Sequence, residues 1–112
     1  LDPDNRRAFI WDEATWDMGQ LELTRTLLQL RESHPALKSG RLRWLAASED
    51  AFALGRTAGE NKVVIALNRG KTVQTLAVKT AGAQTLFEWN GTAEISSDEI
   101  KLTPQSAIIL YM

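Results

Sequence analysis

Five carboxylates, Asp2, Asp4, Asp12, Glu13 and Asp17, stand in an opening stretch that shows neither helical nor strand periodicity. Hydrolysis of a glycosidic bond with retention of configuration needs two such groups roughly 5 to 5.5 Å apart across the bond. Spacing along the chain neither makes nor excludes that pair, but Asp4 and Asp17 read as turn and cap residues, so no catalytic pair is expected among the five. One histidine and no cysteine cannot make an ordinary zinc site, and no metal or other cofactor is expected. His34, directly before Pro35 at the end of a helical pattern, reads as a capping residue and not as a lone acid or base. No serine or threonine stands in a nucleophile-elbow context. Gly55 and Gly59 are separate turn or strand glycines, not a phosphate cradle, which excludes nucleotide chemistry.

Four tryptophans are the other groups with binding potential, since an exposed indole can stack on the apolar face of a sugar ring. Trp44 and Trp89 alternate within strand patterns and are expected in the core. Trp11 and Trp16 lie in the opening stretch and are the better candidates for touching a ligand or another domain.

The elements that must position these groups come in two kinds. Asp2-Pro3-Asp4-Asn5 is turn chemistry, because proline pre-sets φ while Asp and Asn bond back to nearby backbone. From residue 20 to residue 33, Leu23, Leu27 and Leu30 recur at helical spacing, with Leu21 and Leu28 read as widening the stripe. Asp17 and Gln20 stand in capping-box relation before that helix, and Pro35 drives His34 out of the α region after it. Beyond Gly40 the period falls to two, predicting seven strands at 42–46, 51–56, 62–68, 72–78, 84–89, 99–102 and 106–112. Gly59-Glu60-Asn61, Arg69-Gly70, Ala81-Gly82 and Asn90-Gly91 separate them, the last a two-residue hairpin signal. Short strands joined by tight turns indicate a mainly β chain folded as an antiparallel β-sandwich from about residue 37 to 112. The leucine stripe of the helix then packs either on something outside this chain or across an open face or edge of the sandwich.

Composition narrows the partners. The chain has 112 residues, 44% hydrophobic and 24% charged, which suits one soluble globular domain. Its net charge of -1 comes without any charge run, so nucleic acid is not an expected partner. The longest apolar run, residues 107–112, is too short to cross a bilayer, and no basic-then-apolar leader pattern opens the chain. No membrane association is expected; a cysteine-free chain suits either redox compartment, and the cytoplasm is taken as the expectation. A start at Leu1 instead of Met suggests a processed or excised piece.

The succession Asp2-Pro3-Asp4-Asn5-Arg6-Arg7, Ile10-Trp11-Asp12-Glu13, Leu30-Arg31, His34-Pro35-Ala36-Leu37, Val64 to Asn68 and Leu102-Thr103-Pro104-Gln105-Ser106-Ala107 resembles the α-amylase family. Within that family it is most similar to the cyclomaltodextrinase and neopullulanase type. The resemblance implies that residues 1–36 are the last loop and helix of a catalytic (β/α)8 barrel and residues 37–112 its C-terminal β-sandwich. It also implies that the nucleophile, the general acid and the stabilising aspartate all lie upstream of Leu1, so that the chain alone is not a catalyst. Asp2 and Arg6 match the pair that hydrogen-bonds a glucose unit on the non-reducing side of the cleavage point; a carboxylate and a planar guanidinium suit paired hydroxyls, though the two could equally bridge each other. The implied role is support of a barrel that acts on α-glucan oligosaccharides such as cyclodextrins, pullulan or maltodextrins. An independent carbohydrate-binding module, or an oligomerisation domain forming a homodimer, are the alternatives.

Overall fold

The computed structural model describes residues 17–112. Helix α1 (Met18–Ser33) begins at the expected cap, where the Asp17 carboxylate accepts from the Gln20 N–H at 3.0 Å. His34 closes it in an extended conformation, φ -127° and ψ 106°, as the following proline requires. A short second helix that periodicity did not predict, α2 (Pro35–Ser39), follows at once. Five residues are too few to show a period, and proline at the first helical position, where no N–H is needed, is its one sequence sign. Lys38 on α2 donates to Glu32 on α1 at 2.8 Å, and this hydrogen bond, with the lysine's charge, holds the Glu32 carboxyl below the ordinary carboxylate range.

Eight strands follow among the described residues: β1 (Arg41–Ala47), β2 (Ala51–Ala58), β3 (Asn61–Asn68), β4 (Gln74–Leu76), β5 (Gln84–Trp89), β6 (Glu94–Ile95), β7 (Ile100–Leu102) and β8 (Ser106–Tyr111). They form a five-stranded sheet in the order β1-β2-β3-β8-β5 and a three-stranded sheet in the order β4-β7-β6. Every pairing is antiparallel. The expected sandwich is therefore present, with one two-residue strand, β6, too short for alternation to reveal, and with the 72–78 strand cut to three residues.

Between the sheets lies the main core, and it is built by complementarity of size. Ala51, Ala53 and Ala66 on β2 and β3 meet Leu76, Ile100 and Leu102 of the smaller sheet, with Ile108 and Leu110 of β8 beside them. At Gly55 the inner face lacks even a methyl, and Leu45, where the β1–β2 register shifts, covers the space.

The turns divide by function. Gly59 and Glu60 make a true hairpin, since Ala58 pairs with Asn61 across them and Gly59 has φ 61°. Asn90-Gly91 does not make the hairpin expected of it. Both residues have positive φ, 58° and 139°, but the chain there leaves the five-stranded sheet for the other. Gly91 is needed for room as well as conformation, because a Cβ would stand 2.3 Å from Thr103 Oγ1.

One buried side chain fastens these crossings together. Asn68, 1% exposed, donates through Nδ2 to the carbonyls of Thr72, Leu102 and Thr103 and accepts from the Gly70 N–H at 2.8 Å. It thereby binds the loop leaving β3 to the loop entering β8. Asn68→Ala would leave the buried Gly70 N–H without its acceptor and take a donor from the Thr72, Leu102 and Thr103 carbonyls, a loss of about 3 kcal/mol. Urea unfolding followed by tryptophan fluorescence measures it; a change under about 1 kcal/mol would show that the network contributes little.

Candidate functional site

Register across the five-stranded sheet settles which side chains share its outer face, because directly paired antiparallel residues point the same way. Trp44, Leu54, Ile65, Ile109 and Phe87 form one row across all five strands, and Ala47, Phe52, Leu67, Ala107 and Trp89 form the next. A third row runs Leu42, Arg56, Val63, Tyr111 and Gln84. Two complete rungs without a polar side chain are unusual for a face turned to water. In an antiparallel sandwich the outward positions are ordinarily polar.

The helices cover only part of this face. Ala36 of α2 is fully buried against Val63 and Ile109, with Leu30 and Leu37 packed beside it. Farther along α1, Leu23 and Leu27 look across a groove of about 450 Å³ at Ile65, Phe87, Trp89, Ala107 and Ile109. The short helix α2 lies against β2 and β3, and the cover thins toward β1. There Leu42 is 54% and Trp44 63% exposed, and the Trp44 ring stands edge-on to Phe52 with centroids 5.4 Å apart.

Trp44 and Trp89 are thus not core residues, contrary to the expectation from alternation. Trp89 is 45% exposed at the far edge of the same face. Alternation tells which residues share a side; it does not tell which side is covered. The two indoles stand four strands apart, roughly 19 Å at the usual spacing.

The leucines of α1 divide in the same manner. At about 100° per residue, Leu23, Leu27 and Leu30 share the side over the sheet, while Leu21 and Leu28 lie about 140 to 160° away. They do not widen the stripe as expected but make a second, smaller one, where Leu28 is 58% exposed beside Thr24, Arg25, Gln29 and Glu32. No residue of α1 is buried. Of the two readings of the helix, the one that sets it on an open face of the sandwich describes Leu23, Leu27 and Leu30, while Leu28 is exposed and Leu21 half-buried on the other side.

Other sequence candidates resolve more simply. His34 caps the junction of α1 and α2 through its backbone and lies against Tyr111, ring centroids 5.5 Å apart. Asp2, Arg6, Asp4, Asp12, Glu13, Trp11 and Trp16 lie outside the described residues. Among the described residues no group of three His, Cys, Asp or Glu side chains could hold a metal ion, and no helix is long and apolar enough to cross a membrane. What the described surface offers is an apolar face that is only partly covered.

Comparison with known proteins gives this face a context. No family model matches the chain. Neopullulanase 2 of Thermoactinomyces vulgaris is 31% identical over 118 aligned positions, covering 98% of this chain and 20% of that enzyme. A cyclomaltodextrinase of a Bacillus species is 29% identical over 77 positions, covering 67% of this chain and 14% of the relative. The chain therefore spans about a fifth or less of the length of the curated relatives it matches. Among solved structures, trehalulose synthase MutB of Pseudomonas mesoacidophila MX-45 superposes over 78% of this chain and 16% of its own, with TM-score 0.66 and 22% identity. Amy13B of Eubacterium rectale does so over 75% and 18%, with TM-score 0.62 and 18% identity. Those two likenesses establish the fold, and the sequence relatives, the first of them aligned over nearly the whole chain, establish the lineage: the chain belongs to the α-amylase family, where it corresponds to a C-terminal stretch of the neopullulanase and cyclomaltodextrinase type.

Proposed function

We propose that this chain is the non-catalytic C-terminal part of an enzyme that hydrolyses α-1,4-glucosidic bonds in cyclodextrins, pullulan or maltodextrins, and that it supports the catalytic (β/α)8 barrel. The observation that carries the proposal is the outer face of the five-stranded sheet, apolar in two full rungs and covered over only part of its width. A contiguous apolar patch of this kind marks a surface that another body covers. Relatives named for cleaving pullulan and cyclomaltodextrins, of which this chain matches a fifth or less, supply a body of the right kind. In this reading residues 1–36 are the last loop and helix of the barrel, Leu21 and Leu28 pack on its other helices, and Trp44 and Leu42 sit beneath it. Asp2 and Arg6 hydrogen-bond a glucose unit on the non-reducing side of the scissile bond, and the nucleophile and general acid belong to the barrel.

A binding module is the second reading, favoured by the exposure of Trp44 and Trp89. A homodimer through the same face is the third. Three measurements separate them. Purified chain incubated with cyclodextrin or maltotriose releases no reducing sugar; turnover above the blank would remove the non-catalytic assignment outright. Titration with maltoheptaose evolves no heat, whereas saturable binding lost on Trp44→Ala would favour the module. Light scattering reports the mass of the particle, and a discrete dimer dispersed by Trp44→Ser would favour the homodimer.

Trp44→Ser further distinguishes an exposed contact from a core residue. In this chain it changes the free energy of unfolding by less than about 1 kcal/mol, while Leu102→Ala, which is fully buried, costs about 2 to 5 kcal/mol. A loss of the larger size at Trp44 would mean that its indole already has its partner.

For the sugar contact, Asp2→Ala or Arg6→Ala in the chain joined to its barrel lowers kcat/KM for maltoheptaose about 10- to 100-fold, the worth of hydrogen bonds to a charged group. Unchanged kinetics would restrict the pair to bridging each other.

A further inference from the structure

We infer that Asn61 latches the two helices onto the sandwich and that it does so by holding His34 in a single neutral tautomer, with the imidazole hydrogen on Nε2. This goes beyond the proposed function and does not depend on it. The argument starts from the first turn of α2. Pro35 has no N–H to offer, so the first backbone donor needing a partner is that of Ala36. The formal cap residue, His34, makes no side-chain cap hydrogen bond. Asn61, 25 positions away, supplies it instead: its Oδ1 accepts from the Ala36 N–H at 3.0 Å.

Ala36 is fully buried, so water cannot replace that acceptor. The amide of Asn61 is thereby oriented, oxygen toward Ala36 and nitrogen away. The nitrogen meets His34 Nδ1 at 3.4 Å. An amide NH2 can only donate, so Nδ1 must present its lone pair and the ring hydrogen must sit on Nε2. A hydrogen on Nδ1 would set two donors against each other, and turning the amide to relieve them would strip Ala36 of its acceptor.

Asn61 is well placed to act as a fixed point. It is the first residue of β3, paired with Ala58 across the tight Gly59-Glu60 turn, and the neighbouring Lys62 carbonyl accepts from Met112 N–H at 2.9 Å. His34 is at once the last cap of α1 and the first cap of α2, with Tyr111 of β8 along its ring. One amide thus grips both helices at their junction. Since α1 contributes no buried residue, its direction over the sheet depends on this junction more than on its own packing.

The test needs no assignment, because the sequence contains a single histidine. Long-range 1H–15N correlation on uniformly 15N-labelled chain, at a pH where the imidazole is neutral, should show a pyrrole-like Nε2 and a pyridine-like Nδ1. Asn61→Asp keeps an oxygen for Ala36 but replaces the donor facing the ring by an acceptor, so the pattern should reverse, with the hydrogen on Nδ1. Asn61→Ala should give an averaged pattern and lower the hydrogen-exchange protection of the last turn of α1 about tenfold relative to β8. A wild-type spectrum with the hydrogen on Nδ1, or one averaged between tautomers, overturns the latch, and this holds even if neither variant folds. So does an Asn61→Asp spectrum that keeps the wild-type pattern.

Discussion

The last strand of the chain, β8, is the seam on which the other elements depend. It runs between β3 and β5 and is apolar toward both sides: Ile108 and Leu110 enter the core between the sheets, while Ile109 and Tyr111 face the helices. Without it β5 has no partner in its sheet, β3 becomes an edge, and the groove under α1 loses its floor. The dependence is long-range, because β8 pairs with β3 across all the strands from β4 to β7. Folding by such non-local pairing is slower than hairpin formation. Asn68 helps by closing the loop entering β8 against the loop leaving β3, with Ser106 Oγ donating to the Thr103 carbonyl at 2.7 Å in the same turn.

Because β8 is buried on both sides, the five-stranded sheet has two apolar faces, and the molecule handles them differently. The inner one is closed by the smaller sheet, small residues against large. The outer one is closed by α2 and half closed by α1. The degree of closure follows the anchoring. Ala36 is pinned by a hydrogen bond at one end and packed on Val63 and Ile109 at the other, whereas α1 beyond its last turn lies over the sheet without burying a single residue.

The layout of this architecture was largely legible in the sequence. Period-two alternation located all the longer strands, and Asp17 and Pro35 marked both ends of α1. Three things were not legible, each for a physical reason. Elements of two to five residues, β6 and α2, are shorter than the periods that would reveal them. Asn90-Gly91 encodes positive φ, a local property, but whether the strand after it pairs back or crosses to the other sheet is decided by distant partners. Exposure of Trp44 was hidden because alternation is blind to what lies above a face. The partnership of His34 with Asn61 was equally invisible, since it joins residues 27 apart. For the proposed sugar contact the sequence speaks alone: Asp2 and Arg6 rest on the resemblance that named them.

Exposed Trp44 and Leu42, with half-buried Phe52 and Leu54, lie on the outer sheet face, and exposed Leu28 with half-buried Leu21 on the side of α1 turned away from that sheet. A helix with apolar side chains on opposite sides belongs between two layers. Here one layer is the sandwich, and in the proposed reading the other reaches Leu28 across α1 and descends beside it to Trp44 on β1. A small ligand stacked on one indole could satisfy Trp44 but would leave Leu28 in water. A two-fold copy could cover the sheet or the helix, but both at once only by straddling the step between them. A large body that packs around α1 meets both requirements with one continuous surface, which is why support of a barrel accounts for more of the exposed apolar side chains than either rival.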